Sequence, residues 1–450
     1  MSRLMVSISG LRGEIGSTLT PQVIQKYTLA FAKYIQGGKV VVGRDSRVSG
    51  PFINDIVKGC LVASGCEVID IGIVPTPTVE LEIEHHQAAG GIAITASHNP
   101  IQWNGLKFMG ADGRFLPPEA AGKVYGMADN QEAELKSWDK LGKVIPDDGA
   151  IDRHIQKVLN ISYLDVDAIR KRHFKVAVDT VNGAGGVIIP KLLKELGCEV
   201  IAINQEPTGR FAHVPEPLPE NLTQLSETVR KEKADVGFAV DPDVDRCAIV
   251  DNEGNPIGEE YTLVIATKLI FSKTMGRMVI NMSTSRASED IAKYYNCMIV
   301  RSKVGEINVA EKMKEIDAIL GGEGNGGVIL PEVHTGRDAP VAIALTLQAL
   351  LEHGGTMKEL KASLPQYEMV KKKVSIAGMN PDEILARLQE KYKDQDINTL
   401  DGLKIDFEKS WVHLRKSNTE PIMRVIAEAP SKEEAEALAD RFLKEISQMA

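Results

Sequence analysis

Ser97 and His98 stand where the apolar run Gly91–Thr95 gives out into Ala96-Ser97-His98-Asn99-Pro100. Such a run reads as a buried strand, and it delivers a hydroxyl at the strand's carboxyl end, where open α/β sheets gather reactive groups. Two side chains there can handle a proton: His98 itself, and Lys107, which follows an Asn104-Gly105 turn expected to fold the chain back toward the serine. An ordinary polar loop with an N-cap serine is the competing reading.

A second segment, Val240-Asp241-Pro242-Asp243-Val244-Asp245-Arg246, alternates three carboxylates with small or apolar residues. Apolar strands enter and leave it, so the acids are expected to be buried together, where they repel unless a cation joins them. Three carboxylate oxygens with open positions suit a hard divalent ion such as Mg²⁺. The glycine and distant glutamate of an EF-hand are missing, since Arg246 and Cys247 follow instead. The alternative is a solvated acidic turn.

Four more segments are built to touch a ligand. Gly321-Gly322-Glu323-Gly324-Asn325-Gly326-Gly327 holds one acid and one amide among five glycines, a pairing suited to polyhydroxylated ligands. Arg415-Lys416-Ser417-Asn418-Thr419-Glu420-Pro421-Ile422-Met423-Arg424 gathers arginines, hydroxyls and an amide into what reads as one turn, the donor set of a phosphate grip. Ser7–Gly16 reads as a glycine-flanked loop carrying Arg12, and Arg301–Glu306, with Lys303, closes a further strand. A flexible linker and a surface turn are the plain alternatives for the glycine-rich and arginine-rich segments. Arg44-Asp45-Ser46-Arg47 reads as an internal ion-pair network.

Composition bounds what these segments serve. Hydrophobic residues make up 43% and charged residues 26%, as in a soluble globular protein, and 450 residues exceed one core. A net charge of −9 disfavours nucleic acid or an anionic membrane as the partner, so a positive field for an anionic ligand must be local. Five scattered cysteines without a CxxC pair read as reduced thiols. With no signal-like or membrane-spanning apolar run in the sequence, a cytoplasmic location is expected.

The elements needed to position these loops repeat. Lys39–Gly43, a loop, a helix and Gly65–Ile69 follow the same plan as Lys175–Asp179 with Gly197–Ile201 and, more faintly, Arg277–Asn281 with Asn296–Val300. Three related α/β domains in tandem are expected, then a smaller α+β domain with an antiparallel sheet. Polar stretches set the expected boundaries: 1–145, 146–253, 254–365 and 366–450.

Together the loops resemble the α-D-phosphohexomutase family, which includes phosphoglucomutases, phosphomannomutases and phosphoglucosamine mutases. The match spans the chain and rests on Thr95–Pro100, Asp241–Arg246, Gly322–Gly326 and Arg415–Arg424 in that order, one per domain. The resemblance implies a heart-shaped molecule around a central cleft. Ser97 would carry a phosphoryl group, with Mg²⁺ held by Asp241, Asp243, Asp245 and that phosphate. Glu323 and Asn325 would hold sugar hydroxyls, while Arg415, Ser417, Asn418, Thr419 and Arg424 would grip the non-reacting phosphate. Arg12, His98, Lys107, Arg246 and Lys303 would line the transfer site. The substrate would be a hexose phosphate, passing through its bisphosphate, and the protein a monomer or homodimer. Many relatives carry serine and histidine where this chain has Asn325 and Gly327, which resembles a phosphoglucosamine mutase-like branch; a carboxylate at Glu323 would favour a 2-ammonium sugar. A metal-dependent sugar phosphatase and a non-catalytic sugar-phosphate binder are the competing classes.

Overall fold

Three of the four sheets share one strand order. In the first, Lys39–Arg44 lies between Glu67–Ile73 and Gly90–Ile94, all parallel, with Trp103–Gly110 antiparallel beyond. The second sets Lys175–Asp179 between Glu199–Ile203 and Val236–Val240, with Cys247–Val250 antiparallel. The third sets Arg277–Asn281 between Met298–Ser302 and Leu320–Glu323, with Gly327–Ile329 antiparallel. The repeat legible in the sequence is one fold built three times, the faint third copy included. The structure is a computed structural model, and it describes residues 4–7, 10–416 and 421–449.

The parallel strands are continuous apolar runs, such as Val40-Val41-Val42 and Val236–Val240, buried throughout because helices cover both faces. Each unit leaves one loop between its third strand and the antiparallel fourth, at the third strand's carboxyl end. The Ser97 loop follows Gly90–Ile94, the aspartate loop follows Val236–Val240, and the Glu323 loop follows Leu320–Glu323. One position in a repeated fold therefore supplies three of the candidate loops.

Three expectations change. Ser7–Gly16 is not an open loop: Met5–Ser7 and Gly10–Glu14 are antiparallel strands at the edge of the first sheet, and Arg12 sits opposite Gly105. Asn104-Gly105 is not a turn but the start of a strand, since Asn104 is buried and its amide donates to Ser49 Oγ (2.9 Å). The reversal occurs earlier, within residues 97–102, and register then sets Lys107 opposite Ala93. The polar stretch after Asp139 also contains an edge strand, Lys143–Pro146, paired with Glu67–Ile73.

The fourth sheet is antiparallel throughout, in the order Glu368–Ser375, Ile422–Ala429, Trp411–Lys416, Leu403–Asp406, Asp396–Asn398. The helices Pro381–Lys391 and Lys432–Ser447 belong to the same unit; Asn380 and Ser431 cap them. Its apolar core, around Leu388, Leu414, Val425 and Phe442, is a cluster of its own. The second and third units instead share one continuous core, running from Phe174 and Phe238 to Leu263 and Leu345.

Candidate active site

The Ser97 loop is held by a buried cation. Arg47, fully buried, pairs with Asp45 (Nε to Oδ2, 3.0 Å). Its remaining nitrogens donate to the carbonyls of Ser97 (2.6 Å), Asn99 (2.7 Å), Pro100 (2.8 Å) and Trp103 (2.8 Å). The internal ion-pair network expected from the sequence is thus the loop's anchor. Thr95 Oγ1 donates to Asp45 (2.7 Å) and accepts the Ser97 N–H (2.9 Å). These bonds hold Ser97 at φ +49°, a left-handed conformation that costs an L residue about 1–2 kcal/mol.

The Ser97 hydroxyl lies 3.1 Å from Asp241 Oδ2, to which it donates, and 3.2 Å from His98 Nδ1. Two loops distant in sequence therefore meet at one oxygen. Asp241, Asp243 and Asp245 are each about fully buried, and one oxygen from each lies within 4.8 Å of the others. Val244 between them is itself left-handed (φ +64°), rare for a β-branched residue, and its N–H bonds the Asp241 carbonyl (3.1 Å). The Asp241 Oδ1 accepts the backbone N–H groups of Asp245 and Arg246 (3.2 Å each).

Charge at this cluster is incompletely answered by protein. Lys107 Nζ lies 2.7 Å from Asp243 and 3.6 Å from Asp245; Thr76 Oγ1 donates to Asp243 (2.8 Å); Arg337 Nη2 donates to Asp245 (2.7 Å). Yet Asp243 Oδ1 and Asp245 Oδ1 are buried with no hydrogen-bond partner among the described residues. Burial, with Asp245 and Asp243 alongside, pushes the Asp241 carboxyl well above its usual range. Burial works the same way on Asp243, where Lys107 overrides it and holds that carboxyl low. Three acids in one place, two of them with an orphaned oxygen, fit a divalent cation.

A cavity of about 420 Å³ opens beside this cluster, lined from all four units. Arg12, His98, Lys107 and Arg246 line it at one end of the chain's order, Glu323 and Asn325 in the middle, Arg415 and Arg424 from the last unit. Ser97 and the aspartates are not in that lining; they adjoin it through His98 and Lys107. Seven of the lining side chains are Arg or Lys and four are Glu, so the positive field is local in a chain of net charge −9. Arg12 donates to Asn99 Oδ1 (3.1 Å) and Ala96 O (3.4 Å). Burial, then Arg246 and Arg12, push the His98 imidazole down to about 2, so it is neutral.

The glycine-rich loop is pressed onto the metal-type loop. A side chain at Gly326 (φ +87°) would strike the Cys247 carbonyl, and the Cys247 N–H bonds Gly326 O (3.0 Å). Asn325 Oδ1 is buried without a hydrogen-bond partner among the described residues. Glu323 is fully engaged: Oε1 accepts from Asn281 and from the Gly305 N–H (2.8 Å each), and Oε2 from Arg337 (2.8 Å).

At the far end, Arg415 and Arg424 are not in a turn. They lie directly opposite on adjacent strands, with Lys373 opposite Arg424 on the next strand. Like charges directly opposite destabilise a sheet, and Asp401 answers part of this charge by accepting from Arg415 Nε (3.1 Å). Ser417, Asn418 and Thr419 lie outside the described residues. Lys303 does not line the cavity. It is exposed and faces a separate depression with Lys312 and Glu311, because its neighbour Val304 turns its N–H to Asp401 (2.8 Å) and Val304 and Gly305 line the cavity instead.

Four domain signatures match in order: phosphoglucomutase/phosphomannomutase alpha/beta/alpha domain I over residues 3–135, domain II over 152–254, domain III over 258–367, and the C-terminal domain over 370–445. The chain belongs to this family. A probable phosphoglucosamine mutase of Methanopyrus kandleri is 36% identical over 97% of this chain and 96% of its own length. A phosphoglucomutase/phosphomannomutase of Thermococcus kodakarensis is 38% identical over the same shares. Among solved structures, a phosphoglucomutase/phosphomannomutase family protein of Burkholderia thailandensis superposes with a TM-score of 0.85 at 26% identity, covering 98% of both chains. The protein is a phosphohexomutase, and so an isomerase.

For a phosphohexomutase, several cavity residues carried no legible signal. Arg337 is the chief one: buried, it bonds Glu306, Glu323 and Asp245, and so ties the glycine-rich loop to the aspartates. Glu216 meets Arg246 (3.5 Å), and Asn281 meets Glu323. Each stands alone in an unremarkable stretch, so spacing could not select it.

Proposed function

We propose that this phosphohexomutase interconverts the 6- and 1-phosphates of a hexose, with glucosamine phosphate the preferred substrate, by phosphoryl transfer through Ser97. The observation that carries this is the 3.1 Å approach of the Ser97 hydroxyl to Asp241 within a triad of buried acids, beside a cavity whose other residues include Arg415 and Arg424. Glucose and mannose phosphates are the alternative substrates.

Asp241, Asp243 and Asp245 would hold Mg²⁺, which when bound supplies charge neutralisation to a transferring phosphoryl group. Arg12 and Arg246 would add fixed positive charge around the same group. His98, neutral, would orient the Ser97 oxygen by a hydrogen bond. Lys107 is the candidate to handle the sugar hydroxyl's proton; its ammonium donates to Asp243 Oδ2 (2.7 Å). The serine gives up its phosphoryl group as the Oγ–P bond breaks and a sugar O–P bond forms. The bisphosphorylated sugar then turns over, and its other phosphate returns to Ser97. Arg415 and Arg424, with Ser417, Asn418 and Thr419, would grip whichever phosphate is not reacting, and Asn325 would meet the ring hydroxyls. Near-complete burial of Ser97 protects its phosphate from water. Five free thiols, three of them buried, accord with a cytoplasmic enzyme.

Intact-mass measurement of the purified protein tests this: one added phosphate mapping to Ser97 is expected. Ser97→Ala should abolish mutase turnover with an unchanged melting temperature. Phosphate release without isomerisation would mark a phosphatase instead, and normal turnover in Ser97→Ala would remove the serine from the mechanism.

A further inference from the structure

The sequence offers Glu323 as the acid that would favour an amino sugar, but in the fold both of its oxygens are taken by Asn281, Gly305 and Arg337. A second carboxyl lies beside the same loop. Glu260, at the start of the helix Glu260–Lys273, is more than nine-tenths buried yet lines the cavity. It packs directly against Gly324: a Cβ there would fall 2.0–2.2 Å from the Glu260 carboxyl atoms, so the loop's missing side chain is what admits this acid. Its Oε2 accepts the Ser285 N–H (2.9 Å), and no described residue is shown donating to Oε1.

We propose that Glu260 is a specificity-determining residue that reads the amino or hydroxyl substituent of the hexose. This rests on the mutase reading above. The environment suits such a role. Burial raises the Glu260 carboxyl well above its usual range, with Glu259 and Glu428 adding to that, while Lys371 and the Ser285 N–H oppose it. A sugar hydroxyl can only exchange a hydrogen bond with this carboxyl, whereas a sugar ammonium meets it as an opposite charge, which favours the ionised form, so the amino sugar gains an attraction that the hydroxyl sugar lacks. Asn325, next to Gly324 and with its own unpartnered Oδ1, would hold the neighbouring hydroxyl.

Glu260→Gln keeps the shape and a donor but removes the charge, which separates the two cases. The test measures kcat/KM for glucosamine, glucose and mannose 6-phosphates with wild type and variant. The expected result is a fall of about tenfold or more in the ratio of glucosamine to glucose kcat/KM, with Glu260→Asp retaining part of the preference. Equal losses on all three sugars, or an unchanged ratio, would overturn the proposal. Should the variant fold poorly, its kcat/KM ratio still decides, since loss of active enzyme scales every substrate alike. Absence of mutase activity in wild type on all three sugars would instead defeat the underlying reading.

Discussion

The two ends of the cavity are built differently. The Ser97 loop hangs on a fully buried arginine that makes five hydrogen bonds, and it meets an aspartate loop whose acids are locked by Lys107, Thr76 and Arg337. The arginine pair at the other end is carried by a unit with its own core, joined to the third unit by polar contacts. Asp401 accepts the Val304 N–H, His413 meets Ser283 (2.8 Å), and Arg286 reaches Asp406 (3.0 Å). On the proposed mechanism, the chemistry that needs close placement would sit on preorganised loops, and the grip for either phosphate of a sugar that turns over would sit on the unit whose core is separate.

Breaking the rigid end should cost most. Arg47→Ala leaves Asp45 buried and unpaired and frees four carbonyls, so it should lose about 3–5 kcal/mol of stability, seen by denaturant unfolding, with turnover lost alongside. Asp243→Asn, or chelation of the wild type, should lower kcat on the order of a hundredfold to a thousandfold, and added Mg²⁺ should restore only the chelated wild type. At the other end, Arg415→Ala should raise KM for hexose phosphate roughly tenfold, with little change in unfolding midpoint. An Arg415→Ala variant as unstable as Arg47→Ala would show that both ends are equally structural.

The smallest effect concerns the seam between the first and third units. His334 is buried with Nδ1 3.0 Å from Glu80 and Nε2 2.9 Å from Asp338. Burial alone would lower its pKa, but Asp338 and Glu80 raise it to about 10. A raised histidine pKa gives stability that is complete below the unfolded value of about 6.5. That stability is lost as pH rises through about 10. Wild type should therefore exceed His334→Gln most at pH 6.5, and the gap in melting temperature should narrow toward pH 10. A gap independent of pH would mean that His334 stays neutral.

How much was legible depended on whether a signal was local. Apolar runs such as Val236–Val240 are buried on both faces in any parallel sheet, so the three repeated units and the loops at their strand ends could be read directly. The loop reading of Ser7–Gly16 and the turn reading of Asn104-Gly105 fail because glycine and asparagine mark turns only where no neighbouring strand claims their backbone; here the strand Gly10–Glu14 pairs with Trp103–Gly110. Arg415 and Arg424 read as turn residues in the sequence because composition alone sets no boundary where the strand Trp411–Lys416 ends and Ile422–Ala429 begins. Lys303 was expected at the cavity because it ends a strand, but which side chain faces inward is set by a backbone bond to Asp401, nearly a hundred residues on.

The sequence by itself determined which side chains could do the chemistry: one hydroxyl, three alternating acids, an acid and amide among glycines, and two arginines, each beside an element whose local pattern declared it. Only the tertiary structure decided which of these meet and which are already occupied. Asp241 reaches Ser97 across 144 positions, Glu323 is consumed by Arg337 and Asn281, and Glu260 is left facing the cavity. The physical reason is that hydrogen-bond capacity is finite and shared. A carboxylate's availability depends on every donor the fold brings within 3 Å, and no stretch of sequence records that count.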